Sequence, residues 1–462
     1  MRTTRRGIFA LATAIVWAQA STTGRAESLN QAWAIALSVN DGLQAQQAQS
    51  QASAMSLGAA QAARRPTVRN QTIDAMLTPS VSIASITGAG TTSPASAGGS
   101  SKVPGSNQSN VPISLTMLNF PIYTGGRLRA NVESARAQLG AQRTEEFRTV
   151  LDLKLTVAEA YVGVLRAVRD HQVAESDVAR LSAFAKDVKN RRVQGLVTRN
   201  DELAAGVSLS NAQLREIQTK RRLVVAWATY NRYLSRPLSQ AVDLEDLAAA
   251  TGPQNRDALA HGPLGDPSGN PAVGESEVLE LTAMALRGRP ELAGLVEQAR
   301  SLNAQATATS AGLRPQFSVQ TGYAYLGLDV LPERSFYTSA LVLDWTLADF
   351  GTTKRRAASQ RNQEIAALRR RDDTAADIAL DVRSRWLDVQ ETRLRIPVAR
   401  QAVTQAEENI SVVTDRYRQG LSTYTEVLDA ENRRVESFTN LYAANYDAVL
   451  AVFRLRRAVG DL

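Results

Sequence analysis

Residues 191–206 read Arg-Arg-Val-Gln-Gly-Leu-Val-Thr-Arg-Asn-Asp-Glu-Leu-Ala-Ala-Gly, and residues 416–431 read Arg-Tyr-Arg-Gln-Gly-Leu-Ser-Thr-Tyr-Thr-Glu-Val-Leu-Asp-Ala-Glu. Both are Arg-x-x-Gln-Gly-Leu-x-Thr followed by an acidic residue, and both interrupt long helical stretches. A repeat of more than 200 residues is too long for a solenoid unit. It signals a duplicated half-molecule.

The register extends outward from these turns. Arg65-Pro66 matches Arg314-Pro315, and Ala36–Leu43 matches Ala285–Leu292, at an offset of about 249 residues. Gly125 pairs with Gly351, Tyr161 with Trp386 and Gly195 with Gly420, at an offset near 225. The first half therefore carries about 24 extra residues between Pro66 and Gly125, where the Gly/Ser/Thr/Pro-rich run of residues 88–110 lies. A loop tolerates such an insertion.

Each half reads alike. Residues 28–64 are Ala/Gln/Leu-rich and helical, with Ser28 and Gln31 at capping-box spacing. After Pro66 the chain alternates as a half-buried strand does, and Val111–Tyr123 is a second strand with Val111, Ile113 and Leu115 on one face. From Arg127 roughly 70 helical residues follow. Leu151, Leu155, Ala158, Val162 and Leu165, then Leu181, Ala185 and Val188, keep a heptad seam that calls for partner helices along the whole length. The Gly195 turn leads into a returning helix that ends near Leu234. The second half repeats this with a helix over Glu275–Gly312, a strand pair over 315–347, a long helix from Gly351 that Pro397 should kink, and a final helix after Gly420.

The expected domains are a signal peptide over 1–20 and a first repeat over 21–235 with its strand pair at 67–123 and tip at 195. An irregular linker over 236–274 follows, then a second repeat over 275–462 with its tip at 420. The signal reading rests on basic Arg2, Arg5 and Arg6, a short apolar stretch from Ile8 to Trp17, and Ala18-Gln19-Ala20 as a small-residue cleavage site. That stretch is too short to span a bilayer, and no later segment is long and apolar enough. Any membrane insertion must then use β-strands.

Composition narrows the function. The absence of cysteine excludes disulfides, thiolate metal sites and a lipid-anchored N-terminus. The formal charge of +8 falls to +5 on loss of the three signal arginines, and the remaining Arg residues are mixed with Asp and Glu. This reads as solvated helix faces, and with few aromatics it argues against a nucleic-acid partner. His171 and His261 are far apart and read as surface histidines. No Ser-His-Asp set, P-loop or carboxylate cluster stands out, so no catalytic, cofactor-binding or metal-ligating residues are assigned and an enzyme is not expected.

The fold class expected is mainly α with a small β part: long antiparallel helical hairpins, four β-strands per chain, and internal duplication. Four strands cannot close a transmembrane barrel, whose smallest members have about eight. Three chains would supply twelve, and the heptad seams would close their helices into a cylinder. A non-pore periplasmic coiled-coil adaptor or scaffold is the alternative, which explains the hairpins but not the strand pairs or the duplication. A metal-efflux duct draws no support from two histidines and five methionines.

These features together resemble TolC-type outer-membrane channels, the outer-membrane factors of efflux and type I secretion systems. The residues that carry the resemblance are Ala285-Leu286, Arg289-Pro290-Glu291-Leu292, Arg314-Pro315, the Gly125 and Gly351 breaks, Tyr161 and Trp386, and both Gly-Leu turns, in the family's order over nearly the whole mature chain. The resemblance implies a homotrimer with a twelve-stranded transmembrane β-barrel in outer-membrane lipid and a periplasmic α-helical barrel. Its partners would be a periplasmic adaptor (membrane fusion protein) and an inner-membrane pump, and no cofactor is implied.

It also implies roles at the tips. Arg191, Gly195, Leu196 and Thr198, with Arg416, Gly420, Leu421 and Thr423, match the adaptor-docking pattern, while the same glycines and threonines also satisfy ordinary turn and capping chemistry. Glu426 and Asp429 match an acidic ring at the periplasmic gate, and Glu426 also suits a helix N-terminus. Tyr417 and Asp201 match a gate-locking pair. Ser422 stands where the best-known pattern has an arginine, which implies a gate held more loosely or by Arg199.

Overall fold

The computed structural model describes residues 26–76, 110–247, 271–327 and 333–462. The expected signal peptide, the Gly/Ser-rich run before Asn110 and most of the expected linker lie outside them. The first repeat consists of α1 (Leu29–Val39), α2 (Asp41–Ala62), β1 (Thr67–Met76), β2 (Asn110–Tyr123), α3 (Arg127–Val193) and α4 (Arg199–Tyr233). The second consists of α5 (Pro271–Gly288), α6 (Pro290–Ser310), β3 (Gln316–Leu326), β4 (Ser335–Asp344), α7 (Thr352–Arg418) and α8 (Tyr424–Val459). The duplication is metric: α2 and α6 have 22 and 21 residues, α3 and α7 both have 67, and α4 and α8 have 35 and 36. At 1.5 Å per residue α3 and α7 each extend about 100 Å.

The strands form one antiparallel sheet in the order β1-β2-β3-β4. Its register repeats too: Thr67 pairs with Asn119, and their equivalents Gln316 and Asp344 pair likewise. In β3–β4 one face sets Phe317 opposite Leu343, Val319 opposite Leu341 and Tyr323 opposite Tyr337, whereas Ser318, Gln320 and Gly322 alternate to the other. In β1–β2 that same face carries a polar patch beside Val68 and Leu118, with Asn70 donating to Thr116 Oγ1 at 2.7 Å and to Ser114 Oγ at 3.3 Å.

α3 lies in the middle of the chain. α2 and α4 pack on one side of it, α6 and α8 on the other, and α7 packs against α6 and α8. The main core gathers Val157, Ala158, Tyr161, Val162 and Val164 of α3 with α1, Tyr230 of α4 and Tyr446 of α8. Two smaller cores join α7 to α5, α6 and α8, and the lower end of α3 to the two tips. Among the described residues the chain thus has two free edges, one made of β1, α2 and α4 and the other of β4 and α7. Among the described residues no helix is long and apolar enough to cross a membrane.

Tyr161 and Trp386, equivalent positions, do equivalent work. The Tyr161 hydroxyl contacts the backbone carbonyls of Glu27 and Glu245, both at 2.7 Å, tying the chain before α1 and the segment after α4 to the middle of α3. Trp386 Nε1 donates to Glu277 Oε2 of α5 at 3.1 Å.

Several expectations are corrected. The single helix over 28–64 is two, because Asn40 is extended and its side chain caps α2 by accepting from Leu43 N. The helix expected from Glu275 begins at Pro271 and breaks at Arg289, whose extended backbone precedes Pro290 at the first turn of α6. The described strands end at Leu326 and Asp344, inside the 315–347 range. Gly351 is equivalent to Gly126 instead of Gly125: both are left-handed N-caps, at φ +88° and +94°. His171 is half-buried instead of fully exposed. Its ring is wedged between α3 and α4, 3.3 Å from Thr219 Oγ1 and 3.4 Å from Glu175 Oε1. His261 lies outside the described residues.

Candidate functional site at the hairpin tips

The two tips are built by the same backbone chemistry. At the end of α3, Leu196 N donates to Arg191 O at 3.0 Å and Gly195 N to Arg192 O at 2.9 Å. At the end of α7, Leu421 N donates to Arg416 O at 2.8 Å and Gly420 N to Tyr417 O at 3.0 Å. This paired closure needs a left-handed residue, and Gly195 and Gly420 supply it at φ +74° and +75°. Arg191 and Arg416 serve the turns through their carbonyls, so those carbonyls do not explain why arginine stands at both positions.

The returning helices start on threonine caps. Thr198 Oγ1 accepts from Asp201 N, and Asp201 Oδ2 accepts from Thr198 N at 3.0 Å and from Thr198 Oγ1 at 2.7 Å. In the second tip Thr423 Oγ1 accepts from Glu426 N at 3.4 Å. The Glu426 carboxylate accepts from Ser422 Oγ at 2.6 Å and Thr423 Oγ1 at 3.1 Å. Those hydroxyls hold its pKa below the usual carboxylate value. Asp429, one turn further along α8, is exposed and has no hydrogen-bond or ion-pair partner among the described residues. Arg199 is likewise exposed and unpaired there.

Tyr417 is buried in a cluster with Val188, Ala205, Tyr424 and Val427. Phe184 packs on both tyrosines, with ring centroids 5.4 Å from Tyr417 and 5.3 Å from Tyr424. Arg191 lies over the Tyr417 ring at 5.4 Å while bonding Asp187 at 2.9 Å. The expected bond from the Tyr417 phenol to Asp201 is not formed within the chain: the hydroxyl has no hydrogen-bond partner among the described residues, and Asp201 is engaged by Thr198. Burial raises the phenol pKa, Arg191 lowers it, and the carboxylates of Asp201 and Asp187 add to the rise.

Above this cluster lies a set of buried charges that sequence reasoning missed. Arg434 Nε donates to both Glu431 oxygens, at 3.1 and 3.0 Å, with both side chains buried on α8. Asp177 of α3 is buried and accepts from Arg215 Nη2 of α4 at 2.7 Å, leaving its Oδ1 unpartnered. The signal was present: Tyr424, Val427, Glu431 and Arg434 are spaced 3, 4, 3, which puts two charges on the core seam. Phe184, beside the Leu181–Ala185–Val188 seam, had no such mark.

The tips also carry uncovered apolar groups. Leu196 and Leu421 are 68% and 65% exposed, and Val193 is 85% exposed. Among the described residues no group of three or more His, Cys, Asp or Glu is arranged to hold a metal.

Comparison with known proteins agrees with this architecture. The chain matches the family described as outer membrane efflux protein over residues 32–235 and 281–461, which leaves out the inter-repeat segment. It is 21% identical over 319 residues to the outer membrane protein TolC of Vibrio cholerae, covering 67% of this chain and 68% of that one. Among solved structures, CusC superposes with a TM-score of 0.74 at 15% identity, covering 94% of this chain and 92% of the other. The outer membrane protein VceC from Vibrio cholerae gives 0.71 at 16% identity, covering 94% and 96%. At such identities the likeness to solved structures concerns the fold.

Proposed function

The chain belongs to the outer membrane efflux protein family and is an outer-membrane efflux channel; from that premise we propose that it acts as a homotrimeric exit duct, its helices extending through the periplasm to a gated tip. The observation that carries this reading is the pair of free edges. A four-stranded sheet continuous with helices about 100 Å long leaves backbone groups unpaired at β1 and β4. In a bilayer those groups must be satisfied by closure. Three copies joined edge to edge give twelve strands and a helical cylinder in one operation.

In this reading the tips meet a periplasmic adaptor, which links the duct to an inner-membrane pump. The exposed Leu196, Leu421 and Val193 suit docking, because exposed apolar groups at a hairpin end gain from being covered. Arg191, Gly195, Thr198, Arg416, Gly420 and Thr423 hold the shape of that surface. Glu426 and Asp429 line the gate as carboxylates. Tyr417 and Asp201 belong to the gate as members of the same tip region, the Asp201 charge acting on the buried phenol, which is free to find a partner when the coils shift. Conduction is passive, so selectivity for cargo rests with adaptor and pump.

The test is electrical. Purified mature protein, shown by size to be trimeric, should give stable single-channel steps in a planar bilayer. Folded trimer that inserts and carries no current under any applied potential would sink the duct. A folded monomer that binds no bilayer would favour a scaffold without a pore.

A further inference from the structure

We infer that the chain carries, at the contact between its two repeats, a residue-by-residue copy of its contact with the next subunit, and that this copy assigns the inter-subunit ion pairs Asp377–Arg232 and Glu391–Arg222. The inference rests on the trimeric reading above and adds its register.

The internal contact joins α3 of the first repeat to α6 and α8 of the second, and β2 to β3. Advancing each partner by one repeat gives α7 against α2 and α4, and β4 against β1. Those are the two free edges. Equivalent positions are 225 apart in the hairpins, as the common limits of α3 and α7 require.

The apolar side of the contact transposes well. Tyr442, Val449 and Leu450 of α8 pack against the core that contains Val162 of α3. Their equivalents on α4 are Ile217, Val224 and Val225, which are 65%, 47% and 50% exposed, and the equivalent of Val162 on α7 is Leu387, 53% exposed. Apolar residues that are covered in one copy of the contact stand open in the other.

Charge supplies the independent check. Three ion pairs cross between α3 and α8: Asp152–Arg457 at 2.7 Å, Glu159–Arg454 at 2.8 Å and Arg166–Asp447 at 3.3 Å. Transposed, the first becomes Asp377 with Arg232. The second becomes Ser384 with Thr229, two hydroxyls. The third becomes Glu391 with Arg222, complementary with its signs exchanged. None becomes a like-charged pair. Asp377 and Arg232 are both exposed and form no ion pair among the described residues. Glu391 has only a 3.6 Å contact with Arg395 on its own helix. Sequence drift preserved complementarity where it did not preserve identity, as expected if both copies of the contact are in use.

The protein contains no cysteine, so placed thiols report without background. In the full mature chain, Arg232→Cys with Asp377→Cys should give covalent dimers and trimers with a short bis-maleimide. Arg232→Cys with Glu391→Cys, about 21 Å further along the helix, should not. As a second reading, Asp377→Arg should shift the assembly towards monomer on dilution in detergent, and adding Arg232→Asp should restore it. A trimer by size that fails to crosslink at 232/377, or crosslinks equally at 232/391, would overturn this register and leave the trimer standing. A chain that is folded, conducts and is monomeric would overturn both.

Discussion

At the scale of single residues, Tyr417 and Asp177 show what local competition decides. Residue spacing brings Tyr417 and Asp201 to the same tip, but it cannot say which donor wins the Asp201 carboxylate. Thr198, three residues away on the same chain, wins because a capping box costs almost no extra ordering. The Tyr417 hydroxyl is then left buried without a partner. Tyr417→Phe should therefore leave thermal stability unchanged or raise it by up to about 1 kcal/mol, since it removes an unpaired buried polar group. A clear fall in the unfolding temperature would mean that the hydroxyl is bonded in the assembled channel. Asp177 gives a pH signature. Burial is the main cause of its raised pKa, opposed by Arg215 of α4, with Glu431 of α8 adding to the rise and Arg434 of α8 opposing it. The folded chain takes up this proton at a higher pH than the unfolded chain, whose carboxyl titrates near 3.8. The contribution of Asp177 to stability thus grows as pH falls through the folded value, and levels off below the unfolded one. Asp177→Asn should flatten that gain, read as the change in unfolding temperature between neutral and mildly acidic pH. An unchanged slope would place the titration elsewhere.

At the scale of elements, the turns were legible and the helix breaks were not. Gly-Leu-x-Thr fixes a left-handed stop and a capped restart in four residues, so both tips fall where the sequence put them. The break at Asn40 is quieter. Ala, Gln and Leu run on both sides of it, and only an extended asparagine followed by Asp41 in the first turn marks a new helix. The break at Arg289-Pro290 has a mark in the sequence, since the residue before a proline avoids the helical region, but a single proline suits the first turn of a new helix as well as the end of an old one. Length and heptad spacing were enough for α3 and α7, because a seam kept over many turns outweighs any single position within a 67-residue helix. The tip glycines give a clean element-level prediction. A Cβ at Gly195 or Gly420 would meet nothing within 4 Å. Any cost of Gly195→Ala or Gly420→Ala therefore comes from the backbone alone, about 1–2 kcal/mol. Hydrogen exchange should quicken in the last turn of the altered hairpin and stay unchanged at the other tip. Equal quickening at both would show that the tips open together.

At the scale of the whole molecule, a single chain fixes the sheet and the hairpins but leaves its own edges open, so the bore and its selectivity exist only in the assembly. Four strands per chain were countable from alternation, and the number of chains was not: the membrane demands closure, which eight strands would already satisfy, and three chains is what the resemblance implies. The gate inherits this dependence. Within one chain Glu426 is held by Ser422 and Thr423, while Asp429 is free. Three copies would set six carboxylates around the aperture, and such a ring favours cations. Glu426 should carry its own signature on acidification. The hydroxyls on Glu426 lower its pKa, so its charge survives to a lower pH than that of an ordinary carboxylate. Reversal potentials in a salt gradient should show cation preference for the parent channel, and its loss in Glu426→Gln with Asp429→Asn. In Asp429→Asn, adding Ser422→Ala should make the preference that remains fade at a higher pH, because the first hydroxyl holding the Glu426 charge is gone. A pH dependence unchanged by Ser422→Ala would mean that Ser422 releases Glu426 when the trimer closes its gate.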